Sequence, residues 1–190
     1  PAPDAFPVAE VQEIAADILK NRPIDALQYG VTEGYPELIS LIKTRMKSKY
    51  GIGRDFDSII ITSGAQQVMD LSTKVLCNEG DVVICESPSF IGSLNCFRMN
   101  IEALEKALDE NPNAKMIYTI PNFQNPAGVT MSLEKRHRLY ELAKAHNVMI
   151  LEDNPYGDLR VAGEDVPNIK SFDEDGIVIY SGSFSKILAP

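Results

Sequence analysis

The sequence lacks an excess of positive charge. Its 18 lysines and arginines are outnumbered by 27 aspartates and glutamates, which gives a net charge of −9 at pH 7. Since binding to nucleic acid depends on basic residues that neutralise phosphates, and no cluster of them is present, we expect no nucleic-acid partner. The apolar fraction of 44% is ordinary for a globular protein, and 190 residues are enough for one domain core.

Long hydrophobic runs are also missing. A helix that crosses a membrane needs roughly 20 apolar residues, and no run in this sequence approaches that length. The first ten residues, PAPDAFPVAE, lack the basic and apolar regions of a secretory signal peptide. We therefore expect no membrane partner and a cytoplasmic location.

Cysteine and histidine are scarce. The three cysteines, Cys77, Cys85 and Cys96, form no CxxC pair, which favours the reduced thiols of a cytoplasmic protein over a disulfide framework. Both histidines, His137 and His146, lie on one predicted charged helix, without the partners that a metal site requires. We interpret them as solvated helix residues and predict no metal.

What the sequence does have is a regular alternation of short apolar runs with helical patterns. The five predicted strands, all rich in isoleucine and valine, are 58–62, 81–86, 115–121, 148–154 and 176–182. The helices predicted between them are 64–77, 101–109 and 132–146. Apolar runs of this kind suit strands covered on both faces. The alternation therefore predicts an α/β fold with three layers, αβα, around a mostly parallel sheet.

The flanks of this pattern suggest that the domain is incomplete. Two helices are predicted ahead of the sheet, at 10–21 and 35–51. The chain passes so directly into the helix at 101–109 that we expect a strand to be absent near Arg98 and Met99. It begins without Met and stops soon after the last strand, so we interpret it as part of a longer protein.

The residues that follow each strand are the candidates for function, because ligands of open α/β sheets collect outside the carboxyl ends of the strands. After 58–62, Gly64 allows close backbone approach, and the free amides of Ala65 and Gln66 at a helix start can hold a phosphate. Ordinary helix capping would explain the same pattern. Phe90, which follows 81–86, could stack on a planar ring or lie in the core.

Polar groups follow the next two strands. Asn125 stands in a loop, PNFQNPAG, that two prolines make rigid, and its amide offers a donor and an acceptor; turn chemistry alone would also account for it. Strand 148–154 carries Glu152 and Asp153 near its end. Since successive strand residues face opposite sides, only one of the two can face a site. A buried carboxylate needs a positive partner, and Tyr156 can add a phenol beside it.

The chain closes with YSGSFSKILAP, which places hydroxyls at Ser181, Ser183 and Ser185 and an amine at Lys186. A lysine near apolar walls and other cations becomes a better nucleophile, whereas a lone lysine is ordinarily a surface residue. Together the strand ends offer an anion cradle, a flat apolar wall, a fixed amide, a carboxylate with a phenol, and an amine. This set fits a phosphorylated aromatic aldehyde with a ring nitrogen, and pyridoxal phosphate (PLP) has all of those features.

These motifs resemble, in order and spacing, those of fold-type-I PLP-dependent aminotransferases of class I/II, and most closely the subgroup of 2-aminoadipate and kynurenine aminotransferases. The resemblance covers the whole chain, through PAPDAFP, LQYGVTEGYPELI, TSGAQQ, ESPSF, PNFQNPAG, EDNPYGDLR and SFSK. It implies an N-terminal segment over 1–24 and a truncated PLP-binding large domain over 25–190, without the C-terminal small domain. It also implies a homodimer that transfers an amino group between an amino acid and a 2-oxo acid.

The resemblance further implies a role for each candidate residue. Lys186 would form the internal aldimine with PLP and move a proton at the substrate α-carbon, while Asp153 would pair with the protonated ring nitrogen. Asn125 and Tyr156 would hydrogen-bond the phenolic oxygen of the ring. The other contacts would come from Phe90 on the ring, Gly64, Ala65, Gln66, Ser183 and Ser185 at the phosphate, and Tyr29 at the phosphate of the neighbouring subunit.

Other functions remain open at this point. Relatives often carry a hydroxyl residue where this chain has Ala65 and a tyrosine where it has Phe90, and they supply substrate-binding arginines from segments that this chain does not include. The fragment alone is therefore expected to be inactive. The same fold also serves as the effector domain of GntR/MocR-type transcription regulators and as a PLP β-lyase, and a cofactor-free α/β binder is the remaining alternative.

Overall fold

A single parallel sheet organises the computed structural model, which describes residues 6–87 and 100–188. The helices are α1 (Val8–Asn21), α2 (Pro23–Leu27), α3 (Pro36–Tyr50), α4 (Ala65–Leu76), α5 (Ile101–Glu110) and α6 (Leu133–His146). The strands are β1 (Val82–Cys85), β2 (Ala114–Thr119), β3 (Met149–Asn154) and β4 (Val178–Gly182), in the spatial order β1-β2-β3-β4. Short 3₁₀ helices occupy Gly157–Leu159 and Ile169–Phe172. All three strand pairs are parallel, as the alternating pattern predicted.

Helices α5 and α6 begin at residues whose side chains bind free backbone amides of the first turn. The Asn100 side chain accepts two amide hydrogen bonds at the start of α5, and Ser132 accepts one at the start of α6. Helix α3 begins with Pro36 and ends at Tyr50, and the following Gly51 has a left-handed φ of 66°. Asn100, Ser132 and the turn at Gly51 thereby satisfy groups that the first or last helical turn leaves free. The helices predicted at 35–51, 64–77, 101–109 and 132–146 are confirmed as α3, α4, α5 and α6.

The sheet is covered on both faces, with a separate core on each. On one face Ile117 and Ile150 pack with Leu139 of α6 and with residues of α5. On the other face Leu151 packs with Val68 of α4. Helices α5 and α6, the sheet, and helix α4 therefore form three layers, and the predicted αβα class is confirmed.

The strand predicted at 58–62 is wrong. A strand is defined by ladder hydrogen bonds to a neighbour, and this segment forms none with the described strands. It lines one wall of a cleft of about 1050 Å³ whose other wall includes β4. The Ile61 amide donates instead to the Glu33 carbonyl oxygen at 2.8 Å.

The N-terminal helices lie on the surface. None of the residues of α1, α2 and α3 is buried. Helix α2 was not predicted, because five residues are too few to show a hydrophobic period. The expected division into 1–24 and 25–190 falls within α2 and stays a prediction. Among the described residues, no helix is both long enough and apolar enough to cross a membrane.

The two histidines are exposed on α6, as predicted. The His137 ring stacks on Phe172 with centroids 4.1 Å apart, and His146 lies 3.7 Å from an oxygen of Asp109. Cys77 and Cys85 are free thiols. Cys96 and the expected missing strand near Arg98 and Met99 lie outside the described residues.

Candidate active site

The two carboxylates at the end of β3 face opposite sides of the sheet. Glu152 is 0% exposed, and its two oxygens accept hydrogen bonds from the amides of Ile169 and Lys170, both at 2.8 Å. Burial raises the pKa of Glu152 to about 7, although these amides and the nearby positive charge of Arg136 oppose the rise. Glu152 therefore has a complete set of partners and faces away from α4.

Asp153 is buried but only half satisfied. Its side chain is 6% exposed, and the Tyr118 hydroxyl donates to Oδ2 at 2.9 Å. Within the described residues Oδ1 has no hydrogen-bond partner. Burial raises the pKa of the Asp153 carboxyl, while the Tyr118 hydroxyl and the nearby Ser181 hydroxyl lower it. Asp153 is thus the one of the two carboxylates that is left to bind something else.

A second unpaired group lies beside Asp153. Ser181 of β4 is opposite Asp153 in the strand register, so the two side chains share one face of the sheet. Ser181 is 5% exposed, and its Oγ also has no hydrogen-bond partner in the described part of the chain. Because buried polar atoms are nearly always paired in folded proteins, two adjacent unpaired ones indicate a ligand site.

The loop after β2 meets the turn after β3. The Asn125 side-chain amide donates to the Tyr156 hydroxyl at 3.3 Å. Both side chains are half-buried, and Tyr156 packs against the core beneath α4. The structure therefore brings together the two side chains that the sequence analysis assigned to the same oxygen of the coenzyme ring.

A buried arginine holds this loop in place. Arg136 of α6 donates to the carbonyl oxygen of Pro121 at 3.0 Å and to the Asn122 side chain at 2.7 Å. Its other hydrogen bonds reach the carbonyl oxygens of Met131, Val166 and Pro167. Burial lowers the pKa of Arg136 to about 10, which leaves the guanidinium charged near neutral pH. Arg136 was not predicted as part of the site, because a charged helical residue normally faces water.

The start of α4 offers free backbone amides. Gly64, at φ 88°, precedes Ala65 and Gln66, and no side chain caps the helix. A Cβ at Gly64 would meet no atom within 4 Å, so the space in front of the helix start is open. Together with the positive end of the helix dipole, these amides can bind a phosphate.

The hydroxyls after β4 lie across the same cleft. Ser183 donates to the Ser185 hydroxyl at 2.8 Å, and the Ser185 amide donates to Ser183 at 3.1 Å. Both serines line the cleft of about 1050 Å³ together with Gly64. The structure therefore brings the predicted phosphate-binding hydroxyls and the start of α4 to one cavity.

The remaining candidates are less enclosed. Lys186 is exposed, and within the described residues it forms no hydrogen bond or ion pair. It follows β4 at the same edge of the sheet as the end of β3, where Asp153 lies. Tyr29 is 98% exposed. Phe90 lies outside the described residues.

Tyr118 was missed by the sequence analysis. It stands inside the apolar run KMIYTIP, where it looks like one more core residue. A signal was nevertheless present, since a buried tyrosine hydroxyl ordinarily needs a hydrogen-bond partner. The partner, Asp153, lies on the neighbouring strand and 35 residues away in the chain, so only the strand register could identify it.

Comparison with known proteins identifies the family. The family model for aminotransferase class I and II matches residues 3–189. The chain therefore belongs to the class I and II aminotransferase family, and the predicted resemblance is confirmed.

Individual relatives agree with this membership. The chain is 43% identical to aromatic-amino-acid aminotransferase 1 of Thermococcus litoralis, over all of this chain and 50% of that protein. The kynurenine aminotransferase of Pyrococcus horikoshii, solved in complex with PMP, is 39% identical with a TM-score of 0.92, over all of this chain and 52% of that one. An uncharacterized HTH-type transcriptional regulator of Escherichia coli is 31% identical, over all of this chain and 44% of the regulator.

The extent of these alignments shows two further differences between this chain and its relatives. The chain spans about half the length of the relatives it matches. The alignment with the Thermococcus enzyme has 209 positions, more than the 190 residues of this chain. That relative therefore carries additional residues within the matched region, as a shortened connection in this chain would require.

Proposed function

We propose that the protein carrying this chain is a PLP-dependent aminotransferase, which moves an amino group between an amino acid and a 2-oxo acid. The observation that carries the proposal is the buried Asp153 carboxylate, whose unpaired oxygen lies beside the unpaired hydroxyl of Ser181. Family membership supports the same function. The substrates belong to the proposal, because half of each relative's length has no counterpart in this chain.

The residues present fit the coenzyme. When bound, PLP supplies an aldehyde that reacts with amines and a ring that withdraws electrons from the substrate α-carbon. A protonated ring nitrogen would give Asp153 Oδ1 the positive partner that the described residues do not provide. That pairing would keep the ring protonated and hence electron-withdrawing. Burial raises the pKa of Asp153, and a cation beside the carboxylate would favour its charged form.

Asn125 and Tyr156 would hold the ring oxygen. The Asn125 amide and the Tyr156 phenol are already hydrogen-bonded to each other, so their polar atoms converge on one point. Each can also donate to an anionic oxygen. We expect this pair to orient the ring and to stabilise negative charge on its oxygen.

The start of α4 and the serines after β4 would bind the phosphate. Gly64, which directly precedes Ala65 and Gln66 at the start of α4, lines the same cleft as Ser183 and Ser185. Because Ala65 has no hydroxyl, its contribution comes from the backbone alone. Phe90 would stack on the ring, a role that stays a prediction.

Lys186 would supply the amine that holds the coenzyme and carries the proton at the substrate α-carbon. Its position after β4, at the carboxyl edge of the sheet, supports this role. The side chain is exposed and makes no ion pair in the described part of the chain, so no acidic group has to be displaced when it reacts.

A homodimer with shared sites is part of the proposal. The almost fully exposed Tyr29 is available to a neighbouring subunit. Around it, α1, α2 and α3 expose many large apolar side chains, among them Val11, Ile14, Ile24 and Leu41. Apolar surface of this extent is typical of regions that another part of a protein or another subunit covers. The cytoplasmic location also stays a proposal, supported by the free thiols of Cys77 and Cys85.

The decisive experiment replaces Lys186 by alanine in the full-length protein. We expect the Lys186→Ala protein to fold, to lose the visible absorbance of lysine-bound PLP and to lose transamination. Lys115→Ala, at an exposed lysine of β2, is the matched control and should keep both. Retained turnover in the Lys186→Ala protein would refute the assignment.

A regulator is the second candidate, because an HTH-type regulator is 31% identical over the whole chain. It would bind PLP through the same residues but act by binding DNA. Incubation of the full-length protein with an amino acid and a 2-oxo acid, followed by product analysis, separates the candidates. New amino acid indicates an aminotransferase, pyruvate with ammonia or thiol indicates a β-lyase, and no product together with DNA binding indicates a regulator.

A further inference from the structure

Tyr118 is the side chain that fixes Asp153. In the register of β2 and β3, Tyr118 lies opposite Leu151, so its side chain shares a face with Asp153, two residues further on. Its hydroxyl donates to Asp153 Oδ2 at 2.9 Å, and both groups are buried. The bond joins two central strands of the sheet and does not involve an exposed loop.

This hydrogen bond makes the two oxygens of the carboxylate different. Oδ2 is held by Tyr118, whereas Oδ1 has no partner among the described residues. Within the same part of the chain, no lysine, arginine or histidine forms an ion pair with Asp153. A carboxylate held at one oxygen has a fixed orientation about its last side-chain bond, so the other oxygen points in one direction.

Few other titratable groups lie near the hydrogen bond between Tyr118 and Asp153. At the end of β1, the ionisable side chains of Cys85 and Glu86 lie near Tyr118. Burial raises the pKa of the Cys85 thiol, and the Glu86 carboxylate is itself held by the Thr119 hydroxyl and the Ile120 amide. The side chains that α4 packs against this face are apolar, namely Val68, Met69 and Leu76. The Ser181 hydroxyl, from β4, is neutral, and its proximity lowers the pKa of Asp153. The nearest titratable group that contacts Asp153 is therefore Tyr118.

We propose that Tyr118 is a positioning residue for Asp153: its phenol holds Oδ2 so that Oδ1 faces the ring nitrogen of a pyridine-type coenzyme. The identity of the ligand rests on the proposed function, but the hydrogen bond and its effect on the carboxylate do not. Tyr118 touches neither the coenzyme nor the substrate in this arrangement, and acts through Asp153 alone.

Loss of the phenol has a defined chemical consequence. A hydrogen bond donated to a carboxylate favours its charged form, so removing the donor raises the pKa of the carboxyl group. It also frees the carboxylate to rotate. Both changes weaken the pairing of Asp153 with a protonated ring nitrogen, without altering the groups that bind substrate.

The test is the substitution Tyr118→Phe in the full-length protein, which removes one hydroxyl and keeps the ring. Without coenzyme, carbon NMR of labelled aspartate should show a higher pKa for Asp153 than in the wild type. In the PLP-loaded enzyme, the acidic limb of the kcat profile should shift to higher pH. We expect kcat to fall roughly tenfold, the rate equivalent of one charge-assisted hydrogen bond, with little change in KM.

Tyr140→Phe is the matched control. Tyr140 is also buried, and its hydroxyl bonds to Asp175 at 2.6 Å, but it belongs to the core on the opposite face of the sheet. The same atom is removed, so a general loss of packing or stability would affect both variants. We expect Tyr140→Phe to leave the pKa of Asp153 and the acidic limb unchanged.

A reciprocal variant covers the case in which the phenylalanine protein does not fold. Tyr118→3-fluorotyrosine makes the phenol more acidic and a stronger donor, with almost no change of shape. It should lower the pKa of Asp153 and shift the acidic limb to lower pH.

The two proposals fail in different ways. A wild-type protein that never takes up PLP would remove the proposed function. An unchanged carboxyl pKa and an unchanged acidic limb in a PLP-loaded Tyr118→Phe protein would overturn only the positioning role of Tyr118.

Discussion

Glu152 and Asp153 are neighbours in the chain, both are carboxylates and both are buried, yet their surroundings differ. On the face of Glu152, two backbone amides bind its oxygens, and Arg136 contributes positive charge nearby. On the face of Asp153, a single phenol binds one oxygen and the other oxygen is unpaired within the described residues. We call these the closed face and the open face.

The difference separates stability from function. A buried polar group with all its partners stabilises the fold, whereas a buried group that lacks one costs free energy until a ligand supplies it. Proteins keep such incomplete groups at binding sites. Substitutions on the closed face should therefore change the free energy of unfolding, and substitutions on the open face should change coenzyme chemistry.

The largest loss of stability is expected for Arg136→Met. Arg136 is 0% exposed and donates to five acceptors that join α6 to the loops after β2 and before the 3₁₀ helix Ile169–Phe172. Methionine fills similar space but leaves these oxygens unpaired. We expect a loss of about 3–5 kcal/mol, measured by urea unfolding of the full-length protein.

Arg138→Met is the control for this experiment. Arg138 lies on the same helix, but it is exposed and pairs with the exposed Glu105 at 2.9 Å. Its replacement should cost less than about 1 kcal/mol. Equal losses of unfolding free energy for the two variants would show that the buried hydrogen bonds of Arg136 stabilise the protein no more than an exposed ion pair on the same helix.

A smaller loss is expected for Glu152→Gln, and it should depend on pH. The glutamine amide can accept only one of the two backbone hydrogen bonds, so at pH 5 the loss should be about 1–3 kcal/mol. The folded carboxyl keeps its proton up to about pH 7, whereas the ordinary value is 4.5. Between these values the folded protein binds more protons than the unfolded chain, so wild-type stability falls as pH rises.

Glutamine does not titrate, so the difference between the two proteins should shrink from pH 5 to pH 8. Unfolding curves at several pH values measure this trend. Glu134→Gln, in the exposed first turn of α6, is the control and should cost less than about 1 kcal/mol. A difference that grew with pH would contradict the raised pKa of Glu152.

The smallest change in stability is expected for Asp153→Asn. The asparagine oxygen can still accept the Tyr118 hydroxyl, and the substitution removes a charge that burial disfavours. The unfolding free energy without coenzyme should therefore stay within about 0.5 kcal/mol of the wild type or increase. Transamination should nevertheless fall at least about 100-fold, because the ring nitrogen loses its anionic partner.

This variant tests the open face most directly. A stability loss as large as that of Glu152→Gln would show that Asp153 is a structural group. Near-normal transamination would show that another group pairs with the ring nitrogen.

The fold was largely predictable because its signals are local. Each short apolar run that became β1, β2, β3 or β4 is bounded by polar or turn residues, and α5 and α6 carry their own capping residues. Residues 58–62 have the same composition as the other runs but form no strand. Composition cannot report whether a neighbouring strand is present, and a strand does not form without one.

The site was predictable to the extent that it follows from the ends of strands. The motifs indicated Asp153, Asn125, Tyr156, Lys186 and the serines as candidates, because parallel strands bring their carboxyl ends to one edge. They did not indicate Tyr118 or Arg136. Those two residues act through contacts with other elements of the chain, and each resembles an ordinary strand or helix residue in sequence.

By itself, the sequence determined the alternation of strands and helices, the family and the set of polar groups at one edge of the sheet. These three features follow from local hydrophobic periodicity and from the order of the motifs along the chain. Only the tertiary structure decided which of two adjacent carboxylates faces the site and which is sealed inside. That choice depends on strand register and on which amides, phenols and guanidinium groups distant segments bring to each face.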